Sequence, residues 1–180
     1  MGYYSSLLQR KFKDVVGKRY ETVLREYGEF LLTKEEMVVP EIESVLLPLD
    51  AFATGIPDEL VDVLSAYNAT VSLTYIVDAQ VYSLLTKTLD RDTTEEFRRK
   101  KEEHGRQLLD AISRRLENSG MTVRTRLFIG QKGDDVVQMA EEYDMIALSK
   151  RYGGGETETS SISPLALRIC QRLSIPAVIY

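Results

Sequence analysis

From Ser44 onward, short apolar runs alternate with stretches whose apolar residues recur every three or four positions. Runs of four to eight apolar residues bounded by turn signals predict buried strands, and the longer spacing predicts amphipathic helices. Strands are expected over Ser44 to Leu49 (ending in Asp50), Thr70 to Val77 (ending at Asp78), Met121 to Ile129, Met145 to Leu148, and Ile175 to Tyr180. Helices are expected over Ile56 to Tyr67, Thr93 to Asn118, Asp134 to Tyr143, and Ser161 to Leu173. Pro57 suits the first turn of the first helix, and Asp58 and Glu59 complement its dipole. Thr93 and Glu96 have capping-box spacing, and Gly120 supplies a stop. The long helix then turns Phe97, the Lys101 stem, His104, Leu108, Ala111, Ile112 and Leu116 inward.

Alternation of strand and helix implies right-handed crossovers and a parallel sheet covered on both faces. The fold class is therefore α/β, an open, doubly wound five-stranded sheet. Ligands of such sheets sit beyond the carboxyl ends of the strands where strand order reverses. That rule points to Asp50, the Ile76-Val77-Asp78 turn, Gly130, and Ser149 onward.

A different pattern precedes the sheet. Leu8, Phe12, Val15, Val16, Tyr20, Val23, Leu24, Tyr27, Phe30 and Leu31 share one helical face. Pro40 ends any helix before it, so the boundary falls between a helical extension, 1–40, and an α/β domain, 41–180. Six basic and four acidic residues make 1–33 slightly basic (+2), leaving −7 for the rest of a −5 chain. The extension reads as a helix packed on its own domain or a dimer mate, or as one that docks another protein. A membrane-surface role is disfavoured because Glu21, Glu26 and Glu29 interrupt the basic face.

Composition narrows the chemistry. An acidic pI near 5.1 argues against nucleic acid as a partner. The single Cys170 rules out an internal disulfide framework. One histidine, His104, disfavours a multi-histidine metal site or a His-based triad. No apolar run is long enough to span a bilayer, and no secretory pattern opens the chain, so a cytoplasmic protein is expected. His104 and Cys170 read as packing residues, and no paired nucleophile and base stands out. The expected catalytic and metal sites are accordingly none.

The segment Ser149-Lys150-Arg151-Tyr152-Gly153-Gly154-Gly155, running on to Ser160, Ser161 and Ser163, carries the most chemistry. A strand feeding a glycine-containing loop that closes on a helix can hold phosphate with free N–H groups and hydroxyls. The same residues also suit a solvated loop whose serines only cap the helix, with Ser161 as N-cap. Asp50 reads either as an acceptor for a ligand hydroxyl or amine, or as a turn-forming carboxylate.

About three quarters of the chain, Ser44 to Tyr180, resembles a universal stress protein domain. The resemblance rests on Val45-Leu46-Leu47-Pro48-Leu49-Asp50, Leu73-Thr74-Tyr75-Ile76-Val77-Asp78, and Val123 to Gly130 with the Val136, Val137, Ala140 helix. It continues through Tyr143-Asp144-Met145-Ile146-Ala147-Leu148-Ser149, Ser160-Ser161-Ile162, and Ile175-Pro176-Ala177-Val178-Ile179. It implies strand order 3-2-1-4-5, a homodimer through the last strand, and regulation in stress response or signalling, with weak ATP hydrolysis at most. It also implies an adenine-nucleotide site for ATP (with Mg²⁺) or AMP. Pro48, Asp50 and Ile76 would serve the adenosine side and Ser149, Arg151, Ser160 and Ser161 the phosphates, with Leu148 and Ile162 also in the binding site. ATP-binding members carry G-x2-G-x9-G-[S/T] after the fourth strand. Here Ser149, Tyr152 and Ser160 replace the glycines, the interval is two residues shorter, and only Ser161 keeps its type. The alternative is a dimeric interaction module without nucleotide that docks a partner through its N-terminal helix.

Overall fold

The computed structural model describes residues 41–154 and 160–180. The helix expected within 1–40 lies outside these residues, as does the middle of the glycine- and serine-bearing loop. The elements are β1 (Ser44–Leu49), α1 (Asp58–Tyr67), β2 (Thr70–Asp78), α2 (Ala79–Thr88) and α3 (Arg91–Asn118). They continue as β3 (Thr122–Gly130), α4 (Lys132–Ala140), β4 (Met145–Leu148), α5 (Pro164–Cys170) and β5 (Ala177–Ile179). The strands form one parallel sheet in the order β3-β2-β1-β4-β5.

Period-two alternation divides β1 between two cores. Val45, Leu47 and Leu49 pack with Leu64 of α1 and with Leu109, Ile112 and Leu116 of α3. Leu46 faces the opposite layer, with Val136 and Ala140 of α4 and Ala166 and Ile169 of α5. Both faces of β1, β2 and β4 are thus covered, which explains their nearly continuous apolar sequences. At the amino ends, Asp144 ties β4 to β1 by accepting from Glu43 N, Ser44 N and Ser44 Oγ at 3.1, 2.9 and 2.8 Å. Those bonds hold its carboxyl below the usual carboxylate range.

Several local expectations change. Asp90, not Thr93, caps α3: its Oδ1 accepts from Thr93 N at 2.9 Å and its Oδ2 from Thr93 Oγ1 at 2.7 Å. Likewise Ser163, not Ser161, caps α5, with Pro164 in the first turn and Ala166 N donating to Ser163 Oγ at 3.0 Å. The helix is also shorter than expected. α2 lies in a stretch to which no element is assigned from sequence, and it has no buried residue. Asp78 caps it, accepting from Gln80 N and Val81 N at 2.9 and 3.2 Å.

The inward face of α3 is centred on Gly105, with Thr94, Leu109, Ile112 and Leu116 buried beside it. His104 is consequently exposed, meeting Tyr75 edge-on at a centroid separation of 6.2 Å. Gly105 is there because a Cβ would lie 2.5 Å from the Tyr75 ring and 2.8 Å from Leu127. Alanine would add about 1 kcal/mol of helix propensity, but overpacking typically costs about 1–3 kcal/mol. Gly105→Ala is therefore expected to lower the urea midpoint, and adding Tyr75→Leu to recover part of the loss. A rise in the midpoint of Gly105→Ala alone would contradict this packing.

Candidate functional site

The strand order reverses between β1 and β4, and Asp50 stands at the carboxyl end of β1 beside that reversal. Its side chain is fully buried. Burying a carboxylate is costly unless charge and hydrogen bonds compensate it. Three segments do so. Phe52 N donates to Oδ1 at 3.0 Å within the turn after β1. Lys132 Nζ, from the first turn of α4, donates to Oδ2 at 2.9 Å and is itself only 8 % exposed. Gly153 N, from the loop after β4, donates to Oδ2 at 2.9 Å.

Gly153 can present its N–H this way because its φ is +81°, a region that disfavours a Cβ. A Cβ would also meet Leu165 at 2.3 Å. Tyr152, immediately before it, is buried, and its hydroxyl donates to Lys132 O at 3.3 Å. Tyr75, Tyr152 and Tyr180 all feel the Asp50 charge. Burial, reinforced by that charge, pushes the Tyr75 phenol up to about 12 and raises those of Tyr152 and Tyr180 as well. The Tyr180 hydroxyl is buried without a hydrogen-bond partner.

Above this cluster opens a cleft of about 390 Å³, within the range of about 300–1,000 Å³ usual for small-molecule sites. Ile76, Val77 and Asp78 bound it at the end of β2, Phe52 and Gly153 at the loops after β1 and β4, and Val81 and Phe97 at α2 and α3. Among the described residues, two cations line it. Lys132 Nζ lies 5.4 Å from the Phe52 ring centroid and 4.0 Å from Asp78 Oδ2. Lys101 Nζ lies 5.5 Å from the centroid of Phe97. An ammonium over an aromatic face is attracted to the ring quadrupole. The cleft can therefore hold a flat apolar body between aromatic and aliphatic walls and meet an anionic group with lysines.

Of the residues assigned to the nucleotide from sequence, Ile76 lines this cleft and the others do not; Val77 and Asp78 of the switch-point turn, and Gly153 of the loop, line it too. Pro48 and Leu148 are buried in the sheet, and Asp50 lies behind Lys132. Ser149 Oγ accepts from Arg151 N at 3.2 Å, and Arg151 is exposed. Ser160 Oγ bonds Ile162 N and Ile162 O at 3.1 and 2.9 Å, while Ser161 is exposed. Buried Ser163 Oγ donates to Tyr152 O as well as capping α5. Sequence reasoning missed Lys132, Lys101, Phe52 and Phe97. One signal was available for Lys132: a cation in the first turn of a helix opposes the macrodipole, so a compensating partner is called for.

Removing one member of a buried ion pair typically costs about 3–5 kcal/mol, because the other charge stays behind. Lys132→Met is expected to lose stability on that scale, and Asp50→Asn in the same chain to restore much of it. Urea unfolding of the two single variants and the double variant measures the coupling. Strictly additive losses would show that the pair does not act as a unit.

No protein-family model matches the chain, and no curated protein matches it. Solved structures do. A universal stress protein from Lactobacillus plantarum is 13 % identical, with a TM-score of 0.62 over 78 % of this chain and 99 % of that one. A universal stress protein family member from Burkholderia pseudomallei is 18 % identical, with a TM-score of 0.56 over 79 % and 98 %. One from Arabidopsis thaliana with AMP bound is 11 % identical, with a TM-score of 0.50 over 76 % and 90 %. With its all-parallel 3-2-1-4-5 sheet and near-complete coverage of these chains, the α/β domain of this protein has the universal stress protein fold.

Proposed function

We propose that residues 41–180 form a regulatory domain that binds an adenine nucleotide and acts in stress response or signalling in the cytoplasm, without appreciable turnover. The cleft beyond β2 carries this reading. It lies at the carboxyl ends of the strands, where open α/β sheets take their ligands, and it offers Phe52, Ile76, Val81 and Phe97 to a purine ring. The AMP seen in the Arabidopsis thaliana relative supports the same ligand class. These residues fit the base; the described part of the loop after β4, 149–154, fits phosphate poorly. Tyr152 N, Gly153 N, Gly154 N and Ser163 N donate to Ser149 O, Asp50, Arg151 O and Lys150 O. Groups so engaged do not point at a ligand.

That self-satisfaction favours a second reading, an interaction module without nucleotide. In both readings the chain pairs with a second copy through β5. This strand bonds β4 on one side only, and Ala177 and Ile179 are exposed. An open apolar edge is a template for another strand. In the second reading the N-terminal extension docks a partner protein.

A ligand at about 100 times its Kd stabilises the native state by about 2.7 kcal/mol, or several degrees of Tm for a domain of this size. AMP, ADP or ATP is expected to raise Tm by that amount, and Phe52→Ala to diminish the shift. No shift with any of the three would reject the nucleotide reading in favour of the second. For the assembly, light scattering is expected to give twice the chain mass, reduced to one chain by Ile179→Pro, which removes an edge N–H. A monomeric parent protein would exclude the β5 pairing.

A further inference from the structure

We propose that the cleft selects adenine nucleotides bearing a single phosphate, held by Lys101 and Lys132, over the corresponding di- and triphosphates. This inference rests on the adenine reading above and assigns the anion to a different place from the glycine-containing loop.

The first observation is the pair of cations. Lys132 reaches the cleft from α4 and Lys101 from α3, and each is stationed over an aromatic ring that also lines the cleft, Phe52 and Phe97. A stacked ammonium is pre-placed, so less freedom is lost when it meets an anion. Lys132 gives one of its three donors to Asp50. Its Asp78 neighbour, at 4.0 Å, is beyond hydrogen-bond reach, which leaves donor capacity for a ligand oxygen.

The second observation is charge. Asp50 is sealed beneath the floor by Lys132, Gly153 N and Phe52 N, so no ligand hydroxyl reaches it without displacing the ion pair. Two ammonium groups and the Asp78 carboxylate line the cleft. With Asp50 beneath Lys132 the two ammonium groups are already balanced by two carboxylates, so a phosphate monoester, about −1.5 to −2 at pH 7, meets two pre-placed cations with no surplus positive charge beyond them. Each further phosphate adds negative charge near Asp78 without a new cation inside the cleft. Lys150 and Arg151, beside the loop, are exposed and outside it.

The third observation is the loop. Its N–H groups at 150 to 154 are all donated within the protein: Lys150 N to Tyr180 O, Arg151 N to Ser149 Oγ, and the next three as described. A polyphosphate threading toward β4 would have to compete with those bonds, including the one that stabilises the buried carboxylate.

Isothermal titration of the full chain with adenosine, AMP, ADP and ATP, with and without Mg²⁺, tests the assignment. AMP is expected to bind about tenfold or more tighter than adenosine, ADP or ATP, the scale of one charge-assisted contact. Lys101→Met is expected to reduce AMP affinity about tenfold and leave adenosine affinity unchanged. As Lys101 is only half-buried, its melting curve should stay close to that of the parent. The paired variant Lys132→Met with Asp50→Asn tests the second cation without leaving a buried charge. ADP or ATP binding as tightly as AMP, or Lys101→Met and the paired variant both binding AMP normally, would overturn the assignment while leaving an adenine site. Absence of heat with all four ligands would overturn both readings.

Discussion

The site is organised by one buried carboxylate. Asp50 follows β1 at the point where the strand order reverses, and its side chain is fully buried. In so apolar a setting the charge must be met by the protein itself, and each element that meets it is constrained as a result. α4 must begin with Lys132 turned inward. The chain after β4 must adopt a left-handed turn at Gly153 so that its N–H points down. Tyr152 must pass beneath, where its hydroxyl reaches the carbonyl of Lys132. Tyr152 and Gly153 thereby cover Asp50, and the open space lies toward β2, α2 and α3.

This arrangement shows why shared architecture and shared chemistry separate. The sheet order and the placement of helices on its two faces follow from hydrophobic patterning and chirality, and many sequences satisfy them. The function of the loop depends on where a few N–H groups point. Among the described residues of the loop, the N–H groups of 150–154 point inward, so the likeness in fold to other proteins does not carry over their loop chemistry.

β1, β2 and β4 were legible because burial on both faces leaves little besides apolar residues, and Asp50 was legible as the polar end of such a run. α2 was not: its apolar residues Val81, Leu84 and Leu85 do share a helical face, but the run is short and none of them is buried. The face of α3 lay one position from its expected centre because Gly105, the residue closest to the sheet, contributes no hydrophobicity and is selected for thinness. Thr93 and Ser161 looked like caps, yet Asp90 and Ser163 do the capping, as boundaries depend on which carbonyls and N–H groups the tertiary structure leaves unpaired. Lys132 was hardest to see. A lysine after Gly130 and Gln131 reads as surface charge, and its burial depends on a carboxylate 82 residues earlier in the chain. The cleft around it joins β1, β2, α2, α3 and α4, so no local pattern describes it.

The most direct test of this account is to follow Lys132 and the loop together while ligand is added. Nuclear magnetic resonance can observe the side-chain ammonium of a buried lysine and the backbone amides of 150–154 in one titration with AMP. The account predicts saturable movement of the Lys132 ammonium and of the Lys101 side chain, with the amide of Gly153 still protected in its bond to Asp50. Saturable movement centred on the loop amides, with Lys132 unchanged, would contradict it.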